Sequence, residues 1–299
     1  MALGTDHYTA TDVAVFTPEI WGASVNDFYR EALNIATVAT NRSDEVAMGG
    51  DVLYTPNTTA FGTNTKAAGT QVTLQSPTED AVTLNINVHK EASFVLEDTD
   101  VAAVKNSYNL QERRMKDAAY AVAEDLELAL AELFSSLTVS VGATGVALTD
   151  AVAREAISKL GQAIKGSLRK EEVKFVLSLK QVYEDLMTSD RFVSFDFGQN
   201  GTVSGKAVGS IYGFDVLMSN NVTDNGTDFS GALIHKDAIH FATAALPGAK
   251  VMQDGTPGVR MQSDYILEYL GELVVCDIKY GVVMNRADAG IEIVSGVNA

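Results

Sequence analysis

The chain has little of the chemistry from which active sites are usually built. Its 299 residues include one cysteine, four histidines and one tryptophan. A single cysteine cannot form a disulfide within the chain, and Cys276 lies in the apolar run 273–278, which predicts a buried side chain rather than a reactive thiol. No Gly-x-Ser-x-Gly elbow occurs. The sequence therefore offers no support for nucleophilic catalysis.

Long apolar segments and targeting signals are also missing. No apolar run approaches the roughly 18 residues that a membrane-spanning helix needs. The N-terminal stretch MALGTDHYTATD has neither a basic start nor an apolar core, so nothing in it indicates secretion. We therefore expect a protein without membrane contact that is made and used in a cytoplasm-like compartment.

Basic residues are scarce relative to acidic ones. The 22 lysines and arginines face 39 aspartates and glutamates, which leaves a formal net charge of −17. Because phosphate binding depends on cationic side chains, this balance argues against a surface that grips nucleic acid. Simple solubility is the plainer explanation of the acidity. A wall that encloses a nucleic acid without adhering to it is the other.

Two segments come close to ligand-binding motifs without meeting them. The stretch GTVSGK at 201–206 is one residue shorter than a phosphate-binding loop, and Ala207 replaces the metal-binding hydroxyl. The segment 221–226 is similar to a calcium loop, but Thr223 replaces a carboxylate or amide and the twelfth position is Ala232. We reject the first motif and interpret the second as a surface turn.

His235, Asp237 and His240 are the remaining candidates for a metal site, because they lie close together around a predicted helix start. Residues in such positions more often cap a helix or pack than bind a metal. The sequence therefore predicts no catalytic, cofactor-binding or metal-binding residues.

A hydrophobic share of 46% allows a large buried core, and the length predicts one large or two modest domains. Residues 1–48 form a predicted N-terminal arm, which is polar at first and has apolar residues at helical spacing from 18 to 39. Such an arm has little core of its own. It should pack on the rest of the chain or on a neighbour.

Residues 49–97 predict an extended β-hairpin. It has a strand at 52–54, a polar tip at 57–69, and a strand that begins at 72–74 and later alternates apolar and polar residues to His89. About twenty residues of strand span about 65 Å, whereas a compact body of this length has a radius of gyration of about 19 Å. The hairpin should therefore project, and a projecting two-stranded ribbon needs a partner surface.

Residues 98–145 contain a long helix, predicted from 109 to 135 by its strong helix formers. It measures about 40 Å at about 1.5 Å per residue. The small residues at 138–147 predict a linker. The apolar side of the helix consists of Met115, Ala119, Val122, Leu126, Ala129, Leu130 and Leu133.

Residues 146–256 predict a second domain, and residues 257–299 return to β-structure. The elements predicted in the second domain are a helix from Thr149 or Asp150 with Val152, Ile157, Leu160 and Ile164 inward, strands at 175–179, 214–218 and 232–234, a helical run at 182–187, a turn at 219–221 and a short helix at 236–245. The closing strands are predicted at 265–269, 273–278, 281–284 and 291–294.

The order of elements within 174–222 resembles the central domain of tailed-phage major capsid proteins of the Hong Kong 97 type. Members of that family run from a strand through a helix with a Y..L pattern, here Tyr183 and Leu186, to a loop and a GF.V..SN.V motif, here 213–222. Leu179 departs from the family, which often has proline after the first strand.

The resemblance extends over nearly the whole chain. In the family, a hairpin precedes a long spine helix, and closing strands with a YG pair and a late A.AG motif run back against that helix. Here Tyr280-Gly281 and residues 287–290 fill those places. Each motif is weak alone, and the resemblance rests on five elements in the right order.

The fold that the resemblance implies is an α+β Hong Kong 97 phage-like major capsid fold. Its parts would be the N-terminal arm 1–48, the extended hairpin loop 49–97, the spine helix of a peripheral domain 98–145, an axial domain 146–256 and the closing strands of the peripheral domain 257–299.

The function that the resemblance implies is structural, without enzymatic activity and without a cofactor. The protein would assemble in the host cytoplasm into an icosahedral virion capsid that encloses double-stranded DNA without sequence-specific binding. Its partners would be copies of itself in hexamers and pentamers, a portal protein and decoration proteins. Because the sequence starts almost directly with the arm, we also expect a separate scaffolding protein.

Two alternatives stay open at this point. One is an encapsulin, a bacterial nanocompartment protein of the same fold that encloses cargo enzymes. The other is a soluble α+β enzyme, which would form a small oligomer with a polar pocket. Some capsid family members also crosslink a lysine of the hairpin tip to an asparagine of a neighbour with the help of a glutamate, and Lys66 and Asn285 are the residues that the resemblance offers for it.

Overall fold

The computed structural model describes residues 33–46, 50–58, 61–76, 78–99, 110–166, 168–186, 209–244, 246 and 259–296. The predictions for the arm before residue 33, for the glycine-rich stretch 201–206 and for Met187 lie outside the described residues.

The described part of the chain mixes strands and helices. The strands are β1 (Thr40–Asn41), β2 (Val52–Thr58), β3 (Glu79–Asn85), β4 (Val88–Glu97), β5 (Val139–Gly142), β6 (Val173–Leu177), β7 (Ser210–Ile211), β8 (Phe214–Met218), β9 (Thr223–Asp224), β10 (Asp228–His235), β11 (Ile239–Thr243), β12 (Arg260–Ile266), β13 (Gly271–Met284) and β14 (Gly290–Gly296). The helices are α1 (Ser43–Val46), α2 (Leu110–Glu132) and α3 (Asp150–Ile164), with 3-10 turns at Ile35–Thr37 and Leu133–Ser136 and a π-helical turn at Gln181–Asp185.

A five-stranded sheet is built around β13, which pairs on both of its edges. Along one edge, β4 runs antiparallel to it from Gly271 to Tyr280. Along the other edge, β12 and then β11 pair with it, also antiparallel. β1 extends the sheet by pairing parallel to β11. β13 is therefore the strand that holds this sheet together.

Helix α2 covers one face of this sheet. Its side chains Val122, Leu126 and Leu130 are at most 3% exposed and share an apolar cluster with Ile278 and Tyr280 of β13. Their spacing of four residues places them on one side of the helix. Fully burying an aliphatic side chain of this size contributes about 1.5–3 kcal/mol.

The second sheet has seven strands, in the order β5-β14-β10-β6-β8-β7 with β9 beside β10. β5 is parallel to β14 and β6 is parallel to β8, while β10 runs antiparallel to both of its long neighbours. Ala153, Ala156 and Leu160 of α3 pack with Phe175 and Ile293 of this sheet in a separate apolar cluster.

Two short connections link the two sheets. β10 continues into β11 through 236–238, and β13 continues into β14 through 285–289. The Ala238 carbonyl accepts the backbone N–H of Asn285 at 2.8 Å. The side-chain amide of Asn285 donates to the carbonyl of Asp237 at 3.0 Å. The two connections therefore brace each other.

β2 and β3 form an antiparallel ribbon apart from both larger sheets. After β3 the chain bends at residues 86 and 87 and enters the five-stranded sheet as β4. Leu84 and Ile86, which are 1% and 0% exposed, pack at this bend with Val46 and Ala242. We call these four residues the hairpin base.

Most of the predicted elements are confirmed. The long helix spans Leu110–Glu132 and continues as a 3-10 turn, and the second helix begins after Thr149, which is its N-cap residue. The predicted strand 214–218 has the observed bounds of β8, and the hairpin 49–97 does contain a paired ribbon. Cys276 is buried, as predicted.

The short helix predicted at 236–245 is wrong, because residues 239–243 form strand β11. All five residues of β11 are buried between β1 and β13. The alanines at 238, 242, 244 and 245 favour a helix locally. The pairing of this segment with β1 on one side and β13 on the other outweighs that local preference.

Three further predictions need correction. The linker 138–147 contains β5, whose pairing with β14 gives Val139 and Val141 a place in the core. Residues 72–74 are not a strand, and the alternating strand breaks at 86–87. The helical run predicted at 182–187 is confirmed as far as residue 186, with a π-helical turn at Gln181–Asp185.

The sheets also cross the predicted domain boundaries. β11 lies within the predicted axial domain 146–256 but pairs in the five-stranded sheet with β13. β14 lies within the predicted closing strands 257–299 but pairs with β10 and β5 in the seven-stranded sheet. Sequence order alone does not predict this exchange, because it depends on pairing between strands far apart in the chain.

Gly281→Ala should destabilise the fold by about 3 kcal/mol or more, the upper range for overpacking. A Cβ at 281 would lie 2.8 Å from the carbonyl carbon of Asn85 and 3.0 Å from Cα of Ile86, and backbone cannot rotate away as a side chain can. Urea unfolding of the unassembled chain measures the change.

Gly161→Ala in α3 is the matched control. Its Cβ would meet Leu168 Cδ1 at an ordinary 3.7 Å, so the variant should gain about 0.5–1 kcal/mol from helix propensity. Equal unfolding midpoints for the two variants would contradict the close backbone approach at Gly281.

Candidate assembly surfaces

The near-motifs of the sequence are structural turns where the structure describes them. In the segment 221–226, the Asp224 carboxylate accepts the N–H of Gly226 at 2.6 Å, and the Asn225 side chain accepts those of Thr227 and Asp228 at 2.9 and 2.7 Å. These side chains stabilise the turn into β10. The interpretation as a surface turn holds for the exposed residues 224–226, whereas Asn221 and Val222 are buried and 223–224 pair with β10 as β9.

His235 and Asp237 lie together at the connection between the sheets. The N–H of Asp237 donates to His235 Nδ1 at 3.2 Å, and His235 Nε2 lies 3.5 Å from the Glu172 carboxylate. Lys236 contacts the same carboxylate at 3.0 Å, and this hydrogen bond is the main reason that the pKa of Glu172 is lowered. Across the described ranges, no group of three or more His, Cys, Asp or Glu side chains is placed to hold a metal.

Cys276 is surrounded by the core beneath α2. Burial, followed by the charge of Asp277, raises the pKa of its thiol, which keeps the sulfur protonated and unreactive. None of the helices that the structure describes is long and apolar enough to cross a membrane.

The tip of the hairpin, residues 61–76, is a loop with exposed apolar side chains. Phe61, Val72 and Leu74 are 71%, 61% and 89% exposed. The Gln75 side chain holds the tip closed, because it accepts the N–H of Gly62 at 3.0 Å and donates to its carbonyl at 2.6 Å. A shaped loop that leaves large apolar groups in water is typical of a contact surface.

The strand predicted at 265–269 is wrong beyond Ile266, because residues 267–270 form the turn between β12 and β13. The end of β12 and this turn, residues 265–270, form a second exposed apolar surface, which we call the sheet-end turn. Leu267, Tyr269 and Leu270 are 77%, 60% and 62% exposed. The Tyr265 hydroxyl donates to the Asp98 carboxylate at 2.8 Å, and this bond is the main reason that the pKa of Tyr265 is raised. The N–H of Asp98 donates to the carbonyl of Leu270 at 3.0 Å. The turn is therefore fixed to the end of β4.

A charged cluster fixes the three strands that lead to the sheet-end turn. Asp277 of β13 accepts two hydrogen bonds from Arg260 of β12, at 2.8 and 2.6 Å, and contacts His89 of β4 at 2.8 Å. Burial alone would raise the pKa of Asp277, but the bonds from Arg260 and His89 outweigh it and the pKa is lowered. Charge-assisted, two-point contacts of this kind are the strong ones.

The third feature is the segment 34–46, the last described part of the predicted arm, which leads into the hairpin base and which we call the strap. Glu127 of α2 is 1% exposed, and its carboxylate accepts the N–H of Ile35 at 2.8 Å and of Ala36 at 3.0 Å. Thr40 and Asn41 then pair with β11. The strap thus has a polar anchor at its start and strand pairing in its middle.

The two residues proposed for a crosslink are in different settings. Lys66 is exposed in the hairpin tip. Asn285 is half-buried at the connection between the sheets, where its amide group already donates to the carbonyl of Asp237. Among the described residues of one chain, no hydrogen bond joins Lys66 to Asn285.

The sequence analysis missed three groups that the structure brings forward. Glu127 is a charged residue beside the apolar stripe of a helix, and that departure from the pattern was a usable signal. The leucines and tyrosines of the sheet-end turn replace the polar residues expected in a turn. The contact between Arg260 and Asp277 had no local signal, because it depends on strand register.

Comparison with known proteins places the chain among capsid proteins. A family model described as phage capsid protein matches residues 81–271. No curated protein sequence matches significantly.

Solved structures show the fold. A chain from Mycobacterium phage Che8 matches with a TM-score of 0.77 at 17% identity, over 93% of this chain and 97% of that one. The capsid structure of cyanophage P-SCSP1u matches with a TM-score of 0.73 at 17% identity, over 97% of this chain and 96% of that one. The mature capsid of bacteriophage PhiM1 matches with a TM-score of 0.66 at 11% identity, over 93% and 91%. The chain therefore has the Hong Kong 97 fold that the resemblance implied.

Glu127→Ala should destabilise the chain by about 3 kcal/mol or more, because it leaves the N–H groups of Ile35 and Ala36 buried without their acceptor. Glu127→Gln keeps one acceptor oxygen, so its stability should lie between that of Glu127→Ala and that of the wild type. Urea unfolding measures both, and hydrogen exchange at residues 35 and 36 locates the loss.

Glu132→Ala is the control on the same helix, because Glu132 is exposed and its removal should change stability by less than about 0.5 kcal/mol. A Glu127→Ala variant as stable as this control would show that the strap does not depend on the buried carboxylate.

Proposed function

The chain belongs to the phage capsid protein family, and we propose that it builds an icosahedral shell around double-stranded DNA through its hairpin tip and its sheet-end turn. Members of this family are structural major capsid proteins that form a shell. The observation that carries the proposal is the exposed ribbon and its tip. The finer statements below concern how this chain fulfils that role.

The hairpin is the part of the chain that most needs a neighbour. A two-stranded ribbon is marginal in water unless another surface covers it. Tyr54 in the ribbon is 64% exposed, and Phe61 and Leu74 in the tip are more exposed still. Covering these side chains with another subunit would contribute about 25 cal/mol for each Å² of apolar surface removed from water.

The sheet-end turn is the second proposed contact. Its apolar residues would be costly at the surface of a protein that stayed monomeric. The Tyr265–Asp98 bond and the bond from the N–H of Asp98 to the carbonyl of Leu270 hold this turn in place, so that little conformational freedom is lost when it meets a neighbour.

The acidic balance of the chain, 22 basic against 39 acidic residues, supports a wall that does not adhere to packaged DNA. We propose that the DNA is enclosed without sequence-specific binding. Nucleic acid recovered from purified particles distinguishes this role from an encapsulin, whose particles would contain a cargo protein instead.

The division into domains remains our proposal and is sharpened by the strand pairing. A peripheral domain would combine α2 with the five-stranded sheet and so include β11. An axial domain would combine α3 with the seven-stranded sheet and so include β14. Hexamers and pentamers would form around the axial domain.

We further propose that the role is purely structural, with no enzymatic activity. Assembly would take place in the host cytoplasm with a scaffolding protein and a portal protein, and decoration proteins would bind the finished shell. The resemblance to the Hong Kong 97 type supports these partners, and co-purification with the assembling particle tests each of them.

Leu74→Asp should prevent shell formation while leaving the fold intact, because Leu74 is 89% exposed and a charge at a dry contact is costly. Negative-stain electron microscopy and sedimentation of the purified variant measure assembly, and circular dichroism checks the fold.

Thr73→Asp adds the same charge one residue away, at another exposed position, and should assemble better than Leu74→Asp. If Leu74→Asp forms normal shells, the proposal that the hairpin tip contacts a neighbouring subunit is wrong.

We expect no covalent bond between Lys66 and Asn285, because the amide of Asn285 is half-buried and already bonded to Asp237. Particles boiled in detergent should give a monomer band, and Lys66→Arg particles should give the same pattern. A ladder that survives boiling in the wild type and disappears in Lys66→Arg would contradict this prediction.

A further inference from the structure

The strap leads directly into the hairpin, so its hold on the sheet fixes where the hairpin begins. Beyond the Glu127 anchor, its hydrogen bonds run to β11 and the residues around it. The N–H of Arg42 donates to the carbonyl of Phe241 at 2.8 Å, and the Ser43 hydroxyl accepts the N–H of Thr243 at 2.9 Å. At its end, Val46 packs into the hairpin base.

His240 lies at the centre of this contact. It pairs with Thr40 of the strap on one side and with Val283 of β13 on the other. Only 5% of its surface is exposed. Ile239 and Phe241 belong to the cluster beneath α2, so the alternation of the strand directs His240 to the opposite face, which it shares with Ala242 and the strap helix α1.

The charged groups around His240 shift the pKa of its imidazole in opposite directions. Burial and then the guanidinium of Arg42 lower the pKa of the imidazole, and Asp237 and Glu45 oppose this only partly. Glu45 is itself engaged by Arg42, at 2.9 Å.

Among the described residues, the other elements packed on this face add no carboxylate that is not already paired. On β13, the charged side chain of the same face is Lys279, which pairs with Asp51 at 2.6 Å. The hairpin base contributes only Val46, Leu84, Ile86 and Ala242, which are apolar. A protonated His240 would therefore be a buried cation beside Arg42.

We infer that the strap is an acid-sensitive latch, in which protonation of His240 releases residues 34–46 from β11. Release exposes the imidazole to water and moves Arg42 away, which removes both penalties on the charged form. Because the pKa of His240 is lower in the latched state than its ordinary value of 6.5, the released state binds the proton more tightly. The latch is fully stable above pH 6.5 and weakens as the pH falls below it.

Hydrogen exchange of the purified, unassembled full-length chain tests this between pH 7.5 and 5.5, after correction for the intrinsic pH dependence of exchange. In the wild type, protection of residues 34–46 should fall below pH 6.5 by up to about tenfold per pH unit, the limit for one proton. In His240→Gln, which cannot titrate, protection should stay constant. Residues 150–164 of α3 serve as the reference for global folding.

Arg42→Gln is the second variant and keeps the test decisive if His240→Gln does not fold. Without the neighbouring cation, protonation of His240 costs less in the latched state, so the acid-dependent fall in protection should be smaller than in the wild type. The inference is overturned if the wild type shows no fall, if His240→Gln shows the same fall, or if Arg42→Gln leaves the fall unchanged. None of these outcomes depends on shell assembly.

Discussion

The pairing of β13 on both of its edges is the constraint on which the rest of the structure depends. This strand of 14 residues carries β4 on one side and β12 and β11 on the other, and its apolar face lies on α2. The hairpin leaves the sheet beside Gly281, and the sheet-end turn closes next to Gly271. Ten residues of strand separate these points by about 33 Å. The point where the hairpin leaves the sheet and the sheet-end turn are thus held at a fixed spacing by one strand.

Local patterns in the sequence were sufficient for the elements whose stability is local. The helix at 110–132 and the strand at 214–218 have strong periodicity and clear ends, and both were predicted. β11 was not, because its alanines favour a helix and only its neighbours β1 and β13 make it a strand. The exchange of β11 and β14 between the two sheets escaped prediction for the same reason. Of the two proposed contact surfaces, the sequence predicts the hairpin, which has a sequence signature. It does not predict the sheet-end turn, which has none.

At 17% identity the chain still shares its fold with capsid chains of known structure, because a fold does not depend on the chemistry of particular residues. The buried polar groups of this chain support that view. The buried Glu127 and Asp277 and the half-buried Asn285 each fix a backbone path or a strand junction. A protein that acts through surfaces needs its polar residues to set geometry, and these do so at the strap, the sheet and the connection between the sheets.

The double hydrogen bond between Gln75 and Gly62 has a consequence for how subunits associate. It closes the tip before any neighbour is met, so the loop loses less conformational entropy on docking than an open loop would. The same advantage recurs at every subunit of a closed shell. Even a small preference per contact then accumulates with each added copy and makes a complete particle much harder to dissociate than any of its pairs.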